Sequence, residues 1–318
     1  MMNQNPLVSV IVAAYNAQKY IRRCLDSILA QTMPNFEVIA VNDGSTDGTP
    51  AILDEYAAKD PRVRVIHKPN GGVASARQAG LDAAQGEYTI HADSDDWVEP
   101  EMLEELYRKA REEELDMIIC DYWEVFNEGE KYNCQEPISS ERRECFGEMM
   151  NRLAGSLCNK LIRRCCYTDY NIRFDPDVRM EEDKLVCLKI LSHDIRVGYI
   201  NKAFYHYDHT MNEGSLSNTG SYHAESRVLV LERIADYCDI SQAQDYYDGA
   251  LFYCAYEAIS VSGIDNYSFR RIFKPYYRNL FRAKGFPLRN KLVLGMKMAG
   301  IDLPVAAMKK KLAQPHIR

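Results

Sequence analysis

Three aspartates fall within four residues at Asp93-Ser94-Asp95-Asp96. Carboxylates at that spacing repel one another when all are ionised. A hard divalent cation relieves the repulsion, and Mg²⁺ typically takes one or two carboxylates together with substrate phosphates. Such an ion would neutralise a departing diphosphate. An acidic turn capping the helix that starts near Pro100 would use the same residues. Asp43 stands in Asn42-Asp43-Gly44-Ser45, which is turn chemistry first. Beside an aromatic face its carboxylate could instead accept from a ring N–H, and Tyr15 offers a face for stacking. Gly71-Gly72 before a helix start is a weak phosphate signal. Arg77, one turn into that helix, would reach a diphosphate or stand as a surface residue.

These residues need a scaffold that gathers distant segments at one edge. Leu7–Ala14 is a near-continuous apolar, β-branched run, the pattern of a strand buried on both faces. Phe36–Val41, Val63–Ile66, Tyr88–Ala92 and Met117–Cys120 read as further strands. Tyr20–Ala30, Thr49–Ala58, Val73–Ala84 and Pro100–Glu114 read as helices. The alternation predicts an α/β fold: a Rossmann-like, mostly parallel sheet flanked by helices. Ligands of such sheets bind outside the carboxyl ends of the strands. Ala13, Tyr15, Asp43, Gly71-Gly72 and the Asp93–Asp96 cluster all lie at such ends.

Beyond Tyr122 the alternation fades. Asn127–Arg143 reads as a hairpin or excursion, Glu144–Arg164 as helices, and Arg173–Leu191 as an acidic turn followed by a helix. Val197–Tyr207 reads as a strand and Thr210–Tyr222 as a polar loop. From Ala224 onward the pattern is helical, broken by Pro275, Pro287 and Pro304. The expected division is residues 1–221 as one domain and 222–318 as a helical, basic C-terminal region.

The chain has 318 residues, 46% of them apolar, and a net charge of −7, which argues against a general nucleic-acid binder. Its ten cysteines include no Cys-x-x-Cys pair, so reduced thiols are expected. No run reaches the ~18 apolar residues that cross a bilayer. No basic-then-apolar leader opens the sequence, so the cytoplasm is the expected location. Charge is uneven: Arg270–Arg318 holds thirteen Lys and Arg and one acid, Asp302. Leu288, Leu292, Met296, Ala299 and Leu303 recur there at near-helical spacing. That segment would either lie on an anionic membrane at the inner face of the plasma membrane or pack on the body with its lysines solvated.

Four segments in register resemble family 2 glycosyltransferases of GT-A fold: Val8–Asn16, Val41–Thr49, Asn70–Arg77 and Asp93–Trp97. Asn159–Arg163, Phe174 and Glu181-Glu182-Asp183 resemble the acceptor-side half of bacterial members that build capsular, exopolysaccharide or lipopolysaccharide glycans. The likeness covers about residues 6–217, with a donor half at about 6–122 and an acceptor half at about 123–221. It implies inverting transfer of a sugar from a nucleotide-sugar, usually a UDP-sugar, to a surface glycan or lipid-linked oligosaccharide. Ala13 and Tyr15 would line the base pocket, Asp43 would bind uracil, and Arg77 would lie near the diphosphate. Asp93 would face the ribose and Asp95 would hold Mn²⁺ or Mg²⁺, with Asp96, His206 and His209 as competing ligands. Asp183 would be the general base, across a sugar-sized gap from the metal site. Asp208 departs from the resemblance, standing where a basic residue is expected. A nucleotidyltransferase would need a basic Gly-rich phosphate loop that Val12–Asn16 lacks. A non-catalytic sugar-nucleotide binder is the other reading, distinguished by the absence of turnover.

Overall fold

The computed structural model describes residues 5–210, 220–260 and 264–301. The chain divides into two compact units: Met1–Cys145 with Ala154–Asn212, and Phe146–Leu153 with Glu213–Arg318. Phe146–Leu153 therefore groups with the second unit, not with the first as the sequence division had it. A boundary after residue 221 would also cut the helix Gly220–Tyr237.

The first unit is built on nine strands: β1 Val8–Ala14, β2 Phe36–Asp43, β3 Val63–Lys68, β4 Tyr88–Asp93, β5 Trp97–Val98, β6 Met117–Phe126, β7 Gly129–Asn133, β8 Lys160–Arg163 and β9 Val197–Asp208. Their order is β3-β2-β1-β4-β8-β6-β9-β5, with β7 paired to β6. From β3 to β4 every pairing is parallel. Beyond β4 the sheet is mixed: β8 runs antiparallel to both β4 and β6, β6 and β9 are parallel, and β5 and β7 are antiparallel to their partners. "Mostly parallel" thus describes only one half. Two of the four antiparallel pairings come from β8, a four-residue strand inside a stretch that reads as helix. Its Lys160 and Arg163 hide the strand pattern, because Lys160 is fully buried despite its charge.

Helices flank the sheet: α1 Ile21–Leu29, α2 Thr49–Lys59, α3 Val73–Ala83 and α4 Met102–Glu112, then, after α5 Arg142–Asn151, most of which falls in the second unit, α6 Cys165–Asp169 and α7 Glu182–Leu191. β2 is buried at every position, as a two-faced central strand requires. On one face α1 contributes Ile21, Cys24, Leu25 and Ile28, a helical stripe, to the core around Val10, Val12 and Val38. On the other face Ala76 of α3 packs with Ile39 and Val41. Gly80 permits that close approach, since a Cβ there would lie 2.4 Å from Ile11 Cγ2.

The second unit contains α8 Gly220–Tyr237, α9 Gln244–Ser260, α10 Asn266–Phe273, α11 Tyr277–Arg282 and α12 Leu288–Met298. Ile234, Leu251, Phe252, Phe269, Phe273 and Leu280 are buried within it. Leu303 and Pro304 lie outside the described residues, as does most of the Thr210–Tyr222 loop. All ten cysteines are free thiols. No helix among the described residues is long and apolar enough to cross a membrane.

Candidate active site

The carboxyl ends of β1, β2 and β4 meet in one row. Ala13 is in register with Val41 on one side and Asp93 on the other, and Ala14 with Asn42. Tyr15 and Asp43 therefore leave adjacent strand ends. Tyr15 is 53% exposed, an open ring face, while Asp43 is buried. Asn16 takes a left-handed conformation at φ 50°. Its side chain accepts from the Thr46 amide at 2.8 Å, and its own amide donates to Ser45 Oγ at 3.0 Å. The two loops are thereby latched together. Gly44, at φ 72°, must be glycine, since a Cβ would meet the Asn70 amide nitrogen at 2.6 Å.

Asp43 organises the next loop. Its carboxylate accepts from Lys68 Nζ and from the amides of Gly71 at 3.0 Å and Gly72 at 2.8 Å. The Gly71-Gly72 amides are thus turned toward a protein carboxylate.

Arg77 is where the site converges. One turn into α3, it is buried rather than turned to the surface. Its guanidinium pairs with Asp93 at 2.7 Å, with Asp183 at 2.5 Å, and with Glu182. Burial opposes its charge, but the attraction of the three carboxylates holds its pKa well above the ordinary arginine value. Asp93, expected to face the ribose, and Asp183, the expected base, share this one guanidinium. Glu182, the neighbour of the expected base, belongs to the same cluster.

Asp183 lies in the first turn of α7, where the helix dipole favours anions. Its second oxygen accepts from the Leu157 amide at 3.2 Å. Burial raises its pKa, Arg77 pulls it back, and the net shift is upward. Burial, partly offset by Arg77, likewise pushes Glu182 up to about 7. The residue before them, Glu181, is left-handed at φ 58°, an uncommon conformation for a non-glycine residue and costly to hold.

Lys160 supports Asp183 from behind. Its buried ammonium donates to the carbonyls of Ala154 and Ser156 and to Asn159 Oδ1, each at 2.7 Å. These bonds shape the loop that carries the Leu157 amide. Desolvation lowers the Lys160 pKa, as it must for a buried cation.

Around the aspartate cluster the four candidate metal ligands separate. Asp95 is half-buried, and its carbonyl accepts from Arg23. Asp96 is turned inward, accepting from Tyr205 Oη and from the Asp208 amide at 2.8 Å. Burial, then Asp93 and Asp95, push its pKa well above the carboxylate range. His206 is engaged by Glu99 at 2.8 Å and His209 by Glu124 at 3.4 Å. His206, on β9, stacks against Trp97, and His209, just past the end of that strand, stacks against Phe126. No cluster of three or more His, Cys, Asp or Glu suited to a metal occurs among the described residues. One carboxylate completed by substrate phosphates remains a chemically sound donor set for Mg²⁺ or Mn²⁺.

Asp208 finds its cation elsewhere. Arg23 of α1 pairs with it at 2.6 Å and also stacks 4.2 Å over Trp97. Burial raises the Asp208 pKa, but bonds from Thr210 and Arg23 outweigh it and hold the group below the usual range. The stack continues across the sheet. Trp97 and His206 lie 4.9 Å apart, Trp123 and His206 6.4 Å, and Trp123 meets Tyr132 edge-on at 4.9 Å. Arg23, Lys160, Tyr205 and Glu182 were not singled out from sequence. Glu182 and Lys160 carried a signal, their places in the Glu181–Asp183 run and the Asn159–Arg163 segment.

Comparison with known proteins identifies the family. Residues 9–170 match the family model described as Glycosyl transferase family 2. The Bacillus subtilis (strain 168) protein described as putative glycosyltransferase EpsH is 36% identical over 211 residues, covering 64% of this chain and 61% of that protein. The match thus spans about three fifths of that relative's length. Among solved structures, S. aureus TarS 1-349 in complex with UDP-GlcNAc superposes with a TM-score of 0.70 at 23% identity, over 92% of this chain and 87% of the other. Mannosyltransferase PcManGT from Pyrobaculum calidifontis, in complex with GDP-Man and Mn²⁺, gives 0.58 at 17% identity, over 96% and 86%. These similarities show the fold that the chain shares with them. The chain belongs to glycosyl transferase family 2 and has the GT-A fold.

Proposed function

We propose that the protein transfers a sugar, with inversion, from a UDP-sugar to a hydroxyl of a surface glycan or lipid-linked oligosaccharide. The observation that carries this reading is the Arg77 cluster, which ties a strand-end aspartate, Asp93, to a helix-start aspartate, Asp183. The base would stack on the exposed Tyr15 beside Ala13, with Asp43 at its edge. The similar structures in complex with UDP-GlcNAc and with GDP-Man and Mn²⁺ support a nucleotide-sugar donor and a divalent cation. The acceptor class rests on the acceptor-side motif from Asn159 to Asp183.

Asp95 would hold the cation together with donor phosphates, and the bound ion would stabilise charge on the leaving diphosphate. Arg77 has three carboxylate partners in the structure, which supports a positioning role over direct contact with the diphosphate. It fixes Asp183 while the Leu157 amide holds the second oxygen. Asp183, its pKa raised by burial, would take the proton of the acceptor hydroxyl. The raised value makes it a better proton acceptor than an ordinary aspartate, while Arg77 favours its ionised form.

Asp183→Asn tests this reading. UDP binding by calorimetry with Mn²⁺ should survive, and turnover should fall by roughly 10²–10⁴-fold. Retained turnover would remove Asp183 from the base role. UDP binding absent from the wild type, with and without Mn²⁺, would remove the uridine donor.

A further inference from the structure

The basic C-terminal region takes no part in the chemistry above. Its last described helix, α12, turns Leu288, Leu292 and Met296 outward, at 73%, 58% and 37% exposure. Spaced four residues apart, they form one stripe along the helix. The other side of α12 is already used. Asn290, Leu294 and Lys297 are buried, Lys291 Nζ donates to the Phe281 carbonyl at 3.0 Å, and Gly295 lies against the Phe281 ring. The stripe is therefore not the face that holds the unit together.

Two further apolar groups adjoin the end of this helix. Asn266 Nδ2 donates to the Gly300 carbonyl at 3.0 Å, which joins the start of α10 to the end of α12. Tyr267 and Ile301, each next to one of these bonded residues, are 78% and 47% exposed. The charge around them has one sign. Residues 266–301 include nine Lys and Arg and no acid, in a chain whose net charge is −7. Arg270, Lys274, Arg278 and Arg289 are exposed.

We propose that this face docks on an anionic lipid bilayer. An apolar stripe bordered by cations and tyrosine meets both layers of such a surface: headgroup charge outside and hydrocarbon beneath. A second copy of the chain would bring the same cations to the same face, so a two-fold pairing would set like charges together. A nucleic acid would satisfy the cations and leave the leucines in water.

The test is sedimentation of the full chain with vesicles of phosphatidylcholine alone or mixed with phosphatidylglycerol. Binding should require the anionic lipid and weaken with salt. Leu288→Glu with Leu292→Glu should lower the partition coefficient by roughly tenfold or more. Arg278→Glu with Arg289→Glu should do the same at low salt, with melting temperature and UDP affinity retained in both pairs. Absence of sedimentation with anionic vesicles at low salt overturns the proposal. So does binding untouched by the leucine substitutions. A dimer that Leu288→Glu dissociates, seen by light scattering, assigns the face to a second copy instead.

Discussion

Removing the Arg77 guanidinium would leave Asp93, Glu182 and Asp183 facing an uncharged side chain in a buried site. Breaking a buried ion pair from one side costs about 3–5 kcal/mol. That cost belongs to the charged form of the carboxylates, so pH separates it from lost packing. Glu182 has a folded pKa of about 7, above its ordinary 4.5, because burial outweighs the pull of Arg77. A carboxylate raised on folding stabilises below its unfolded value, and that contribution is lost as pH rises through the folded one. Without Arg77 the values of Glu182 and Asp183 climb further. Arg77→Met should therefore lose about 3–5 kcal/mol at pH 8, roughly 10 °C in Tm for a unit of this size. At pH 5 the carboxylates take up protons and the loss should be clearly smaller. Thermal denaturation followed by circular dichroism at the two pH values reads the difference. Arg77→Lys should recover part of it, since an ammonium restores charge without the planar fork. A penalty equal at pH 5 and pH 8 to within about 0.5 kcal/mol, smaller than a typical charged hydrogen bond, would refute the electrostatic account.

Two other outcomes follow from the same site. The acid limb of kcat/KM should lie above the ordinary aspartate range, because burial raises Asp183 and its neighbour Glu182 together, and the limb reports the cluster as a whole; a limb at the ordinary aspartate value contradicts the base assignment. Arg23→Ala and Asp208→Ala should show a coupling of about 0.5–1.5 kcal/mol in thermal stability, modest because Arg23 is 37% exposed. The exchanged pair Arg23→Asp with Asp208→Arg should restore part of it, and additive single effects would show that the pair does not interact.

Legibility in the sequence followed the range over which each signal acts. The strand row β1, β2, β4 was readable because each strand is a short, mainly apolar, β-rich run, and β2 and β4 end on their functional residues, Asp43 and Asp93. β8 was not, since its four residues carry two cations and its pairing with β4 and β6 is entirely long-range. β5, two residues long, left no periodicity to detect. The partners of site residues were hidden for the same reason. Arg77 meets Asp183 across 106 residues and Arg23 meets Asp208 across 185. An ion pair at such separation leaves no local pattern in either segment. Asp208 looked anomalous in its own strand and becomes ordinary once α1 is folded against it.

The stack of Arg23, Trp97, His206 and Trp123 has an optical consequence. Trp97 and Trp123 are the chain's two tryptophans, so all of its indole emission comes from one column of rings. That column ends under Arg23, which also holds the Asp95 carbonyl. The protein therefore carries a native fluorophore beside its aspartate turn, and unlabelled enzyme can report events there by intensity or wavelength alone.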